Sequence, residues 1–169
     1  MRAERLYDEL AYGLDIVRAL LTGMSSEEAA VKRDATSWSV LEVVCHLADE
    51  ERDDFRRRVD LILHRPDDAW TPIDPEGWVV QRRYNARDLT ESVIDLVAER
   101  QCSLAWLNGL KSPNWDAAYA APFGRITAGD ILSAWVAHDN LHTRQLLELR
   151  RSRVLALTAP YSIRYAGDW

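Results

Sequence analysis

Four stretches of the chain repeat apolar residues at intervals of three and four, the spacing that lines them along one face of an α-helix. These stretches cover residues 4–22, 39–63, 88–109 and 128–150. Two of them begin with a capping box, in which Ser39 precedes Glu42 and Thr127 precedes Asp130 by three residues. No convincing series of strands alternates with them. The sequence therefore predicts an all-α protein, specifically a four-helix bundle.

The connection between the second and third helices, residues 65–87, is long for a compact domain. It contains Pro66, Pro72, Pro75 and Gly77. We interpret it as a crossover that wraps the bundle and roofs a pocket; alternatively, its aromatic residues only anchor it to the helices. Residues 117–127 are expected to form a short extended piece. The aromatic tail, residues 151–169, is expected to pack on the bundle.

Length and composition limit the classes of function. At 169 residues, the chain is expected to form one domain over residues 1–169. A net charge of −6 argues against nucleic-acid and anionic-membrane partners. No run reaches the roughly 20 apolar residues that a membrane span needs. Cys45 and Cys102 lie in apolar helical patterns, which predicts two buried thiols in a reducing, cytoplasmic compartment.

Three histidines form the candidate metal site. His138 and His142 are four residues apart, on one face of the fourth helix, and His46 lies in the second helix. Three imidazoles suit a divalent metal and leave coordination positions open for water or substrate, as in catalytic zinc sites. The alternative is a set of hydrogen-bonded core histidines. A zinc protease is disfavoured because Asp139 stands where its H-E-x-x-H motif needs Glu.

Several neighbours of the histidines are candidates for supporting roles. Glu50, one turn after His46, is a candidate general base or a carboxylate that orients an imidazole. The alternative is that it belongs to a solvated acidic face with Asp49, Glu51 and Asp53. Gln145 is expected to line the pocket, Asp139 to cap a neighbouring loop, and Arg100 to pair with a buried carboxylate.

Two segments resemble the DinB-like four-helix bundle proteins: W-S-V-L-E-V-V-C-H-L-A-D-E-E at 38–51 and G-R-I-T-A-G-D-I-L-S-A-W-V-A-H-D-N-L-H-T-R-Q-L at 124–146. The resemblance extends over essentially the whole chain. It implies a bundle with a long crossover between helices 2 and 3, commonly a homodimer. It also implies a divalent metal (zinc, nickel, manganese or iron) held by His46, His138 and His142.

The same resemblance suggests a reaction class, since relatives include mycothiol-dependent maleylpyruvate isomerase and bacillithiol transferase. The expected function is that of a metal-dependent enzyme that activates a low-molecular-weight thiol, of the S-transferase or isomerase type. One alternative is a non-catalytic stress-response protein that binds a metal or a small-molecule ligand. A third possibility is a metal-assisted hydrolase with Glu50 as its base.

Overall fold

The computed structural model describes residues 3–167, and its long helices form a four-helix bundle. The first long helix is α1 (Ala3–Leu21), and α2 (Ser26–Ala29) is a single turn after it. The second long helix begins as α3 (Val40–Glu50), widens into a π-helical turn at Glu51–Phe55 and continues as α4 (Arg56–His64). After α5 (Pro75–Gln81), the third and fourth long helices are α6 (Leu89–Gly109) and α7 (Ala128–Thr158). The predicted all-α bundle is confirmed.

A small hairpin joins α6 to α7. Its strands β1 (Ala118–Ala121) and β2 (Gly124–Thr127) pair antiparallel, with Ala118 opposite Thr127. The short extended piece expected over residues 117–127 is therefore present. Thr127 also caps α7, because its side chain accepts a hydrogen bond from the backbone N–H of Asp130, and the Asp130 carboxylate accepts one from the backbone N–H of Thr127.

Side-chain contacts fix the directions of the long helices. Cys45 meets Ser92 and Arg56 meets Ser103, so α3–α4 runs parallel to α6.

Side-chain contacts also give the directions of α3–α4 and of α1 relative to α7. His46 lies beside His142 whereas Phe55 lies beside Trp135, so α3–α4 runs antiparallel to α7. The Arg150 guanidinium of α7 donates to the Leu20 carbonyl of α1. Earlier in both helices, Gly13 packs on Asp139, so α1 runs parallel to α7. Because the second and third long helices are parallel, the chain between them must traverse the bundle, as the crossover interpretation predicts.

The crossover is ordered by its own short helices and by polar anchors. Asp74 caps α5, with Pro75 at the first helical position, and a 3₁₀ turn follows at Tyr84–Ala86. The buried Tyr84 hydroxyl donates to Asp49 of α3 at 2.5 Å. The Arg82 guanidinium stacks on Trp78, 4.0 Å from the ring centroid. The aromatic residues of the crossover therefore do anchor it, as one of the two interpretations predicts.

The described residues pack into two apolar clusters. One lies between α3, α6 and the crossover and includes Val43, Val44, Leu47, Tyr84 and Leu96. The other lies between α1, α4, α6 and α7 and includes Leu10, Val59, Leu107, Leu132 and Trp135. Every residue of α3 is buried, because α6, α7 and the crossover all pack against it.

Three sequence expectations were wrong in detail. The last helix ends at Thr158 rather than at residue 150. Tyr161 and Tyr165 of the tail are exposed rather than packed, and Trp169 lies outside the described residues. Cys45 is buried as expected, but Cys102 is exposed on α6. None of the helices within residues 3–167 is long and apolar enough to cross a membrane.

Candidate metal centre

The three predicted histidines meet in the middle of the bundle. Nε2 of His138 lies 3.2 Å from Nε2 of His46 and 3.1 Å from Nε2 of His142. One ring nitrogen from each residue lies within 4.8 Å of the other two. The antiparallel packing of α3 against α7 brings them together, since it places the middle of one helix against the middle of the other.

Aromatic rings surround the three imidazoles. Trp38, just before α3, lies edge-on to His46 at a centroid distance of 4.8 Å and is nearly parallel to His142, with 4° between the planes. Phe55, from the π-helical turn, covers His138 at 5.0 Å. These rings shield part of the surface of the imidazoles, and the rest of it faces the cleft described below.

Burial keeps the imidazoles neutral. Desolvation, followed by repulsion from His142, lowers the pKa of His46 to about 3. Desolvation and repulsion from the other two histidines likewise lower the pKa of His138 to about 3. Burial also lowers the pKa of His142, although the hydrogen bond to Gln145 opposes that shift. At neutral pH each ring therefore offers a nitrogen lone pair.

This cluster fits a divalent metal ion. In a tetrahedral zinc site, with Zn–N bonds of about 2.0–2.1 Å, two nitrogen ligands lie about 3.4 Å apart, close to the spacings seen here. Nε2 of His138 faces both other Nε2 atoms but carries either one hydrogen or one lone pair, so it cannot make a full hydrogen bond to each of them. The amide oxygen of Gln145 already accepts the hydrogen of His142 Nδ1 at 2.8 Å, which leaves Nε2 of His142 with its lone pair. A cation bound by the three Nε2 atoms would satisfy them.

Glu50 lies beside the cluster in an unusual state. Its side chain is buried, and Oε1 has no hydrogen-bond partner among residues 3–167. Burial, together with repulsion from Asp54, raises its pKa to about 8. Nδ1 of His46 also lacks a partner within the described chain, so no hydrogen bond from Glu50 orients that imidazole. A buried carboxyl group with a pKa near neutrality is suited to proton transfer.

The cluster opens into a cleft of about 460 Å³. The crossover supplies one wall through Ile73, Asp74, Pro75 and Glu76, and the bundle supplies Trp38, Glu50 and the three histidines. The crossover therefore lines the site as well as being anchored to the bundle. No lysine or arginine is among these lining residues, so the cleft is acidic apart from any bound metal.

Beneath the histidines lies a charged network that the sequence only partly indicated. Arg100 of α6 is buried and pairs with Glu51 at 2.8 Å and with Asp139 at 2.6 Å. The predicted pairing of Arg100 with a buried carboxylate is thus confirmed. The expectation that Asp139 caps a loop was wrong, because Asp139 faces the interior and binds Arg100. Burial disfavours the charged guanidinium, but Glu51 and Asp139 outweigh it and hold the pKa of Arg100 above its usual range.

Two other candidate metal ligands, Cys45 of α3 and His64 of α4, lie away from the cluster. Cys45 lies 3.4 Å from the Ser92 hydroxyl on the α6 side, where burial raises the pKa of its thiol. The fourth histidine, His64, is exposed and bonds Asp60 at 2.8 Å. Neither belongs to the site.

Comparisons with known proteins agree with this fold. The family model of the DinB superfamily matches residues 9–146. YfiT from Bacillus subtilis, described as a probable metal-dependent hydrolase with an unusual four-helix bundle topology, superposes with a TM-score of 0.78. It is 21% identical in sequence, over 90% of this chain and 87% of YfiT.

A conserved protein from Enterococcus faecalis superposes with a TM-score of 0.68 at 15% identity. That match covers 89% of this chain and 96% of the other. No curated protein matches the chain in sequence. At these identities, the likeness to solved structures concerns the fold.

Proposed function

Because this chain belongs to the DinB superfamily, we propose that it is a metalloenzyme that binds one divalent ion through His46, His138 and His142. The observation that carries the proposal is the convergence of three neutral imidazoles, two buried and that of His138 partly buried, with Nε2 atoms 3.1 and 3.2 Å apart. Three protein ligands leave coordination positions open towards the cleft, which is the arrangement of catalytic rather than structural sites.

A divalent ion held there would act as a Lewis acid and would lower the pKa of a water or thiol that it binds. The protein's own residues have separate tasks. Gln145 fixes the tautomer of His142, and Trp38 and Phe55 pack against the imidazoles and hold their positions. Glu50 takes the proton of the attacking nucleophile on its carboxylate and returns it to the leaving group. A neighbouring cation would bring the raised pKa of Glu50 towards neutrality, where such transfers are efficient.

Water is the nucleophile that these residues support best. Hydrolysis needs a base beside the bound nucleophile, and Glu50 is a buried carboxyl group in the same cleft. YfiT from Bacillus subtilis, with the same fold, is described as a probable metal-dependent hydrolase. We therefore place metal-assisted hydrolysis of a small molecule first.

Activation of a low-molecular-weight thiol is the second candidate. The observation that favours it is the size of the cleft, because about 460 Å³ exceeds what a single water needs. Ile73, Pro75 and Trp38 give it an apolar wall against which a carbon chain attached to the sulfur could pack. The lack of basic lining residues favours neutral or cationic thiols over strongly anionic ones.

The test begins with the metal content of protein purified without a histidine tag. We expect about one divalent ion per chain, lost in His142→Ala and retained in His64→Ala, which changes a histidine outside the site. The loaded protein is then assayed against ester and amide substrates in water, and against electrophiles with added thiols. Metal-dependent turnover that disappears in His142→Ala supports the proposal. Stoichiometric metal without turnover in either assay would instead favour a non-catalytic metal-binding protein.

A further inference from the structure

We propose that Arg100 is a positioning residue for the metal centre, and that it sets the distance between the two helices that carry the ligands. The inference rests on the proposed metal site and concerns how that site is held. Arg100 belongs to neither of those helices: it projects from α6 into the middle of the bundle, where it is 2% exposed.

All five N–H groups of the guanidinium face acceptors from the other three long helices. Nε and one terminal nitrogen meet the two carboxylate oxygens of Glu51, each at 2.8 Å. The terminal nitrogens meet the oxygens of Asp139 at 2.6 and 3.0 Å, and one of them also donates to the Leu10 carbonyl. A planar guanidinium can donate to all of these acceptors at once because its five N–H groups lie on three nitrogens. The three N–H groups of a lysine ammonium lie on one nitrogen and cannot reach them all.

The acceptors adjoin the residues of the site. Glu51 directly follows Glu50 and opens the π-helical turn, and Asp139 directly follows His138. Glu51 also accepts a hydrogen bond from the indole Nε1 of Trp135, at 3.1 Å, one turn before His138. Arg100 therefore holds α7 at the residue after His138, and it holds the second long helix at Glu51, five residues after His46. The contact between Glu51 and Trp135 joins the two helices directly.

Stability alone does not account for such a network. Burying three charged groups costs desolvation energy, and replacing buried ion pairs by apolar residues is often neutral or stabilising. Apolar side chains can also hold α3 and α7 together, but the hydrophobic attraction between them is not directional. Bidentate hydrogen bonds have strict geometry, so they fix the spacing from which the Nε2 separations of 3.1 and 3.2 Å follow.

Metal affinity and ligand-field spectra test this inference without any activity assay. Affinity of the metal-stripped protein for Zn²⁺ is measured by chelator competition, and site geometry by the visible spectrum of the Co²⁺ form. The variants are Arg100→Lys, Asp139→Asn and Trp135→Phe. The last keeps an aromatic ring against Phe55 but removes the indole N–H together with part of the ring volume, an effect that the cavity control also covers. Leu107→Ala is the matched control, since it opens a cavity on α6 two turns from Arg100.

We expect each of the three variants to weaken Zn²⁺ binding by about 10–100-fold, as loss of supporting contacts around ligands does elsewhere, and to alter the Co²⁺ spectrum. Leu107→Ala should lower the melting temperature and leave the affinity and the spectrum as in the wild type. Affinities within twofold of wild type, with an unchanged spectrum, in the variants that fold would overturn the inference. Failure of the wild type itself to bind metal would instead overturn the proposed function.

Discussion

The amide oxygen of Gln145 lies 2.8 Å from Nδ1 of His142, one helical turn away on α7. With the oxygen facing the ring, Nδ1 carries the hydrogen and Nε2 points its lone pair towards His138. The contact thus selects the tautomer that a metal ion needs, and it holds the plane of the ring.

Replacing Gln145 by Leu should weaken metal binding by about 10–100-fold, because His142 would then lose the partner that fixes its tautomer and orientation. Gln145→Glu should keep or strengthen binding, since a carboxylate also accepts from Nδ1. Affinity is measured by chelator competition. Asn140→Leu, on the exposed side of the same helix, serves as the control and should bind metal as the wild type does. Equal affinities in Gln145→Leu and wild type would refute the role of this contact.

The crossover offers a second prediction, about stability. The Tyr84 hydroxyl donates to the carboxylate of Asp49, three residues after His46. Hydrogen bonds to charged groups contribute about 1.5–3 kcal/mol, so Tyr84→Phe should lower the free energy of unfolding by roughly that amount. Arg52 and Arg82 remain paired with Asp49, which favours the lower part of the range. Denaturant unfolding provides the measurement, and the exposed Tyr161→Phe should be indistinguishable from wild type.

Much of the site could be predicted because the sequence patterns that indicate it each lie within a single helix. His138 and His142 share a face of one helix because they are four residues apart. The apolar residues repeated at intervals of three and four likewise predict the four long helices, whichever way these helices pack. The capping boxes at Ser39 and Thr127 fixed two helix starts to within a residue. No periodicity links His46 to α7, so its place in the site was a hypothesis about how the helices pack, which the family resemblance then supported.

The features of the site that could not be predicted depend on which helices are in contact in the folded protein. Helix geometry points Asp139 away from the two ligands of α7, but in that direction it meets Arg100, which also binds Leu10 of α1, rather than a loop. The π-helical turn at Glu51–Phe55 likewise follows from tertiary contacts, because it turns Glu51 towards Arg100 and Phe55 towards Trp135. The sequence around residue 51 does not indicate that Arg100 and Trp135 contact this turn.

The lowered histidine pKa values predict how the metal-free protein responds to acid. His46 and His138 titrate near 3 in the folded state but near 6.5 when unfolded, so between these values the unfolded chain binds more protons. Stability should therefore fall as pH drops from about 6.5 towards 3, by up to about 1.4 kcal/mol per pH unit for each histidine. Unfolding free energies across this range provide the test. The double variant His46→Gln, His138→Gln should show a flatter profile; an equally steep one would contradict the assignment.

Glu50 acts on stability in the opposite direction. Its pKa is about 8 in the folded protein and about 4.5 in an unfolded chain, so the folded state holds a proton that the unfolded chain loses between these values. The stability it contributes is complete below pH 4.5 and disappears as the pH rises through 8. Glu50→Gln mimics the protonated form, so the variant should fold normally and lose less stability than wild type over this range.

The same substitution is the sharpest test of catalysis, because it changes proton transfer while the ligands stay in place. If Glu50 is the general base, Glu50→Gln should lower kcat by about 10²–10⁴-fold, while the metal affinity stays within a few-fold of wild type. Glu76→Gln removes an exposed carboxylate from the same cleft and should leave kcat nearly unchanged. The pH profile of kcat should also lose its Glu50-dependent limb. An unaltered kcat and profile in Glu50→Gln would assign proton transfer to another group.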